Sequence, residues 1–194
     1  QETSWLLIFE LTGGWIREEI NLFMNAIRTS LNYRLFTDMM GGRLEQAVQI
    51  QKSLLPKVAP KFAGYDIFGH SDPAELVGGD FYDYNMVDEH TLSVSIGDAS
   101  GHGIPAALLV RDVVIGLRMG LAKEFRNVHM LERLNKVIQK STYSTNFVSL
   151  FLCEIERDGH IFYVNAGHPG PFLISDNGIE DLEATGITLG FLPD

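Results

Sequence analysis

Two acidic residues held between glycines are the first sign of chemistry in this sequence. Asp98 lies in Gly97-Asp98-Ala99-Ser100-Gly101-His102-Gly103, and Asp80 lies in Gly78-Gly79-Asp80-Phe81-Tyr82-Asp83. Leu92, Val94 and Ile96 alternate with small or polar residues, the pattern of a half-buried strand. The glycines that follow permit backbone angles closed to other residues, and Pro105 suits the opening of a helix. Asp98 is therefore expected at the rim where a strand gives way to a helix, with Asp80 at the edge of a neighbouring strand. Carboxylates converging in this way suit a hard divalent cation, and Asp83 is the least favoured of the three.

Oxygen ligands favour Mg²⁺ or Mn²⁺. Zinc is disfavoured, because the chain has one cysteine and no histidine pair at metal-binding spacing. No Gly-Lys-Ser/Thr follows the glycine loop, so it is not a nucleotide P-loop. Ser100 has the wrong neighbours for a nucleophile elbow. His102 and His168 are candidate proton donors, although a histidine in a turn more often bonds its own backbone. His168 stands in Asn165-Ala166-Gly167-His168-Pro169, where Asn165 reads as a turn-stabilising amide. His70, His90, His129 and His160 belong to no constellation visible in the sequence.

The elements that must position these residues read as α+β. Strands are expected over residues 65–70, 81–87, 91–97, 147–156, 160–165, 171–175 and 179–183. A helix with a wide apolar stripe follows Asp98, and a second amphipathic helix carries Leu131, Leu134 and Ile138. Strand segments apolar on both faces fit sheet packed on sheet with helices outside. Upstream, residues 15–55 repeat apolar side chains at three- and four-residue steps, and Gly41-Gly42 predicts a hinge or break. Pro56 stops the helix. Its stripe calls for a partner, either a parallel homodimeric coiled coil or a domain outside this chain. Residues 5–11 read as a short, doubly buried strand.

The 194 residues suffice for one sizeable domain and an appendage. Lys and Arg number 15 against 25 Asp and Glu, a net charge of −10. With no basic run, nucleic acid and anionic membrane surfaces are excluded as partners. Cys153 cannot form an internal disulfide and reads as a buried apolar residue in a reducing compartment. No secretory signal or membrane-spanning segment is apparent, so the expected location is cytoplasmic. The first residue is Gln and no closing element ends the chain, which reads as a piece of a longer polypeptide.

The three motifs around Asp80, Asp98 and His168, with Pro105-Ala106-Ala107-Leu108, resemble the SpoIIE/RsbU-type metal-dependent (PPM) Ser/Thr protein phosphatases. Ala47-Val48-Gln49-Ile50-Gln51-Lys52-Ser53-Leu54-Leu55-Pro56 resembles the segment that precedes that domain. The resemblance implies an α-β-β-α sandwich that hydrolyses phosphoserine or phosphothreonine. It implies two Mn²⁺ or Mg²⁺ ions, bridged by Asp98, with the Ala99 carbonyl completing one site and Asp80 holding metal directly or through water. It also implies a phosphorylated STAS-domain anti-sigma-factor antagonist as substrate. Residues 1–14 are similar to the end of a GAF-type sensor, residues 15–56 to a helical linker that joins chains into a homodimer, and residues 57–194 to the phosphatase domain. The family's last two acidic ligands are expected beyond Asp194, and its eukaryotic relatives carry a histidine where this chain has Ser100. The competing expectation is an inactive phosphatase fold kept for signalling or dimerisation.

Overall fold

A computed structural model of the chain describes residues 8, 10, 13–14, 16–62, 64–73, 75–122, 127–141 and 146–192. Residues 5–11, expected as a strand, lie largely outside the described residues. The chain divides into two units, Gln1–Leu44 and Glu45–Asp194.

The first helix, α1, spans Arg17–Leu54. No proline interrupts it, Glu18 and Glu19 lie in its first turn and Lys52 in its last, matching the helix dipole. The helix includes Gly41 and Gly42, where the sequence predicts a break. A glycine in a helix interior costs only about 1 kcal/mol relative to alanine, and good helix formers flank this pair. In the first unit, Leu22, Phe23, Leu31, Leu35, Phe36 and Met39 are exposed on this helix.

The second unit holds a four-stranded antiparallel sheet in the order β1 (Asp80–Met86), β2 (Thr91–Ala99), β3 (Val148–Glu156) and β4 (Ile161–Ala166). Between β2 and β3 the chain forms α2 (Gly103–Leu121) and α3 (Asn127–Ser141). A separate ribbon pairs β5 (Phe172–Ser175) with β6 (Gly178–Asp181). Val110, Val113, Val114 and Leu117 of α2 are fully buried against Phe81, Leu150, Leu152 and Ala166 of the sheet. Leu131, Leu134 and Ile138 of α3 join the same core, as their helical spacing requires. Phe151 and Cys153, pointing to the other face of β3, are also buried, in line with a strand apolar on both sides.

One expected strand is not formed. Residues 65–70 make only an isolated bridge, Phe62 with Tyr65. Tyr82 Oη instead donates to the Gly69 carbonyl at 3.1 Å, and Tyr65 Oη donates to the Glu156 carbonyl. The segment is tied by tyrosine hydroxyls rather than by a backbone ladder. Among the described residues, no helix is long and apolar enough to cross a membrane.

Candidate metal centre

The register of the sheet decides where each acidic residue points. Asp80 pairs directly with Asp98, and Asp98 pairs with Ser149. Residues opposite one another in a sheet share a face, so the three form a row across β1, β2 and β3. Ala99 N–H donates to the Gly79 carbonyl at 3.0 Å, which makes Asp80 and Asp98 a non-hydrogen-bonded pair. In such pairs the Cα atoms approach to roughly 4.5 Å, and like charges placed there repel. Both residues are exposed, and no described residue donates a hydrogen bond to either carboxylate. Partial desolvation, followed by the charge of Asp80, pushes the Asp98 carboxyl above its usual range.

A third oxygen joins them. A Cβ at Gly79 would lie 2.3 Å from the Ala99 carbonyl oxygen and 2.8 Å from Asp98 Oδ1. Only glycine leaves that space open, and both oxygens border it. Asp80, Asp98 and the Ala99 carbonyl thus offer oxygen donors alone, a set that fits Mg²⁺ or Mn²⁺ and not a soft metal.

Asp83 does not belong to this set. On a strand, residues an odd number apart face opposite sides, and Asp83 points into the helix-covered core at 1% exposure. Its two oxygens accept from Arg118 Nε at 2.7 Å and Nη2 at 2.9 Å. Tyr84 N–H and Asn85 Nδ2 bond the same carboxylate. Arg118 Nη2 also donates to the Leu54 carbonyl at the end of α1. The bond to Asp83 raises the guanidinium further above its ordinary value.

The two candidate histidines separate clearly. His102 precedes α2, is largely exposed, and has Nδ1 3.3 Å from Glu75 Oε1. His168 is drawn to the carboxylate row, with Nδ1 2.8 Å from Ser149 Oγ. Its turn is rigid: the fully buried Asn165 accepts His168 N–H on Oδ1 at 2.9 Å and donates from Nδ2 to the Leu182 carbonyl. Gly167 has φ +68°, and a Cβ there would meet Thr188 Cγ2 at 2.8 Å. Burial lowers the His168 pKa, while Asp98 and then Asp80 oppose that shift. Ser100 is structural: its backbone and hydroxyl bond Phe147 at 2.9 Å each, fastening the loop after Asp98 to the start of β3.

Sequence reasoning assigned no group to His160, yet it lies with Glu156 and Asp158 at the β3–β4 turn. His160 Nδ1 is 3.0 Å from Asp158 Oδ2, a pairing that raises the histidine and helps hold the aspartate low. This cluster is at the opposite end of β3 from Ser149. Two further contributors were also missed. Ser149 is a polar residue inside an apolar strand, and that interruption was its one signal. Gln51, in the last turn of α1, accepts Gly78 N–H on Oε1 at 3.1 Å and donates from Nε2 to the Gly78 carbonyl.

Comparison with known proteins identifies the family and the fold. The chain is 32% identical over 156 residues to the phosphoserine phosphatase RsbU of Bacillus subtilis (strain 168), across 79% of this chain but 46% of that protein. The chain therefore spans less than half of that relative. The structure of the RsbU and RsbW domains of Rv1364c from Mycobacterium tuberculosis is 27% identical, with a TM-score of 0.54 over 62% of this chain and 34% of that one. The SiaA-PP2C domain of Pseudomonas aeruginosa shares the fold, with a TM-score of 0.64 at 18% identity over 79% of this chain and 64% of that one. The family model for stage II sporulation protein E (SpoIIE) matches residues 88–194, which include Asp98, Ser149 and His168. On that match, which takes in more than half of its residues, this chain belongs to the SpoIIE family.

Proposed function

We propose that this chain is the phosphatase portion of a metal-dependent phosphoprotein phosphatase acting on phosphoserine or phosphothreonine. The observation that carries this reading is the facing pair Asp80 and Asp98 beside the Ala99 carbonyl. Phosphatases of this family are metal-dependent, and the oxygen set here suits two Mn²⁺ or Mg²⁺ ions. Asp80, Asp98 and the Ala99 carbonyl are the residues that would hold them. When bound, the cations supply an activated water and neutralise charge on the phosphoryl oxygens during in-line attack.

The chain's own residues do the positioning. Gly79 keeps the space above Asp98 and Ala99 open to a ligand. Ser100 fixes the loop that carries both donors. The exposed row admits a phosphorylated side chain presented by another protein, without requiring a deep pocket. Hydrolysis by water needs no covalent enzyme intermediate, consistent with the absence of a nucleophile motif. A STAS-domain phosphoprotein, met in the cytoplasm, is the substrate class that the resemblance of the three motifs implies.

Regulation would enter through α1. Gln51 bonds both backbone groups of Gly78, two residues before Asp80, and Arg118 bonds the end of the same helix. The exposed apolar residues of α1 support pairing with a second copy as a coiled coil. A sensor domain preceding it would then act on the site through the helix.

The test is hydrolysis of p-nitrophenyl phosphate and a phosphoserine peptide by full-length protein with and without Mn²⁺. Activity should require Mn²⁺ and fall at least on the order of 100-fold in Asp98→Asn. Metal-independent activity, or full activity in Asp98→Asn, would overturn the proposal.

A further inference from the structure

The row Asp80, Asp98, Ser149 does not end at β3. It continues into His168, which leaves β4 in the turn built around Asn165. The backbone N–H and Nδ1 of this histidine have partners, Asn165 Oδ1 and Ser149 Oγ, and its Nε2 has none among the described residues.

A serine hydroxyl has one hydrogen to give. Ser149 Oγ lies 2.8 Å from His168 Nδ1 and 3.5 Å from the Asp98 carbonyl. The first distance is ordinary for an O–H bond and the second is beyond the usual range. The shorter contact suits the hydroxyl donating to Nδ1, which would put the ring N–H on Nε2; in the other tautomer Nδ1–H would donate to Oγ and the hydroxyl would turn to the Asp98 carbonyl. In the first tautomer a donor N–H stands at the end of the row holding Asp80 and Asp98, on an imidazole whose backbone is fixed by a buried amide and a glycine at φ +68°. Such an arrangement serves an anion brought to the row, not the fold, since a structural histidine in that turn would need no free donor.

We infer that His168 contacts the substrate: Nε2–H donates a hydrogen bond to an oxygen of the phosphoryl group bound beside Asp80 and Asp98, and Ser149 positions it by holding Nδ1. This rests on the phosphatase reading above. His102, the equivalent candidate in the sequence, is turned to Glu75 and takes no part.

The experiment combines two measurements on the full chain. Imidazole ¹⁵N spectra report the tautomer of His168 and its response to inorganic phosphate in the presence of diamagnetic Mg²⁺, which leaves the signals sharp. Kinetics on His168→Gln, His168→Ala, Ser149→Ala and Ser149→Thr report the consequence. The unsubstituted protein should show the Nε2–H form, with that nitrogen shifting as phosphate is added. Ser149→Ala should lose the fixed tautomer, and Ser149→Thr, which keeps the hydroxyl, should restore it. Both His168 variants should lose on the order of 100-fold in kcat/KM, the loss expected for one preorganised donor, and weaken inhibition by inorganic phosphate about as much. Mn²⁺ affinity and melting temperature should stay near those of the unsubstituted chain. An Nε2 signal indifferent to phosphate, or His168 variants with unchanged kcat/KM in an otherwise active enzyme, would overturn this assignment alone. Loss of Mn²⁺ affinity equal to that of Asp98→Asn would make His168 part of the metal site instead and would also overturn it. Absence of both Mn²⁺ affinity and esterase activity in the unsubstituted protein would overturn the phosphatase reading and this inference with it.

Discussion

Arg118 of α2 grips Asp83 of β1 through two nitrogens, at 2.7 and 2.9 Å, while the aspartate is almost wholly buried and the arginine stays half open to solvent. The pair joins strand to helix at a point that apolar contacts alone would leave free to slide. Arg118→Met strands a buried carboxylate, and denaturant melts should show a loss of about 3 kcal/mol. The double variant Arg118→Met with Asp83→Leu should recover most of it, because no charge is then left unpaired.

Gln51 should matter more to activity than to stability. Gln51→Glu keeps the acceptor for Gly78 N–H but cannot donate to the Gly78 carbonyl. A loss of about 1 kcal/mol in a melt is expected for the missing bond, accompanied by a change of several-fold in kcat with KM less affected. Equal proportional effects on folding and turnover would argue against a regulatory role.

Asp98 makes stability fall with rising pH. Its carboxyl is held above the ordinary range by desolvation and by Asp80, so the folded chain binds that proton more tightly than the unfolded one. The benefit is complete below the unfolded value of about 3.9 and disappears as pH climbs through the folded value. At neutral pH the ionised pair opposes folding. Metal-free Asp98→Asn should therefore be more stable than the unsubstituted chain by roughly 0.2–1 kcal/mol at pH 7, with the advantage shrinking at low pH. Saturating Mn²⁺ should reverse the order, because it stabilises only the protein that binds it.

Gly79→Ala tests the open space beside Asp98. The new methyl would meet the Ala99 carbonyl oxygen at 2.3 Å and Asp98 Oδ1 at 2.8 Å. Backbone must shift, at a cost of about 1–3 kcal/mol. Calorimetric titration with Mn²⁺ should show at least a tenfold loss of affinity. An unchanged titration would remove the Ala99 carbonyl from the proposed site.

Leu31→Asp combined with Leu35→Asp tests pairing through α1, where both leucines are exposed. Sedimentation should give a dimer for the unsubstituted protein and a monomer for the variant. A monomeric unsubstituted protein would refute the coiled coil.

Local pattern was enough to place β1, β2, α2 and α3, because alternation and helical stripes report which side of each element meets the core. It also placed Asp80 and Asp98 at neighbouring strand ends. It misjudged residues 65–70, since aromatic residues favour a strand but a strand exists only where a partner offers its backbone. It expected a hinge or break at Gly41-Gly42: no break is formed, because a long run of good helix formers carries the helix through the pair, and the chain divides into its two units just after it, between Leu44 and Glu45. Asp83 was separable by parity alone: three positions from Asp80, it had to face the other way. The tie between Ser149 and His168 was not legible. It depends on the β3–β4 register, which has no short-range sequence signature, whereas the turn fastened by Asn165 did have one in Asn165-Ala166-Gly167-His168-Pro169.

The clasp on Gly78 would also set a length scale for the regulation proposed through α1. An α-helix advances about 1.5 Å per residue, whereas hydrogen bonds hold good geometry over only a few tenths of an ångström. Sliding the last turn of α1 by a single residue would therefore break both bonds to Gly78 together. Under the regulation proposed through α1, the strand end bearing Asp80 would answer to the helix as a latch does, held or released, with little ground between.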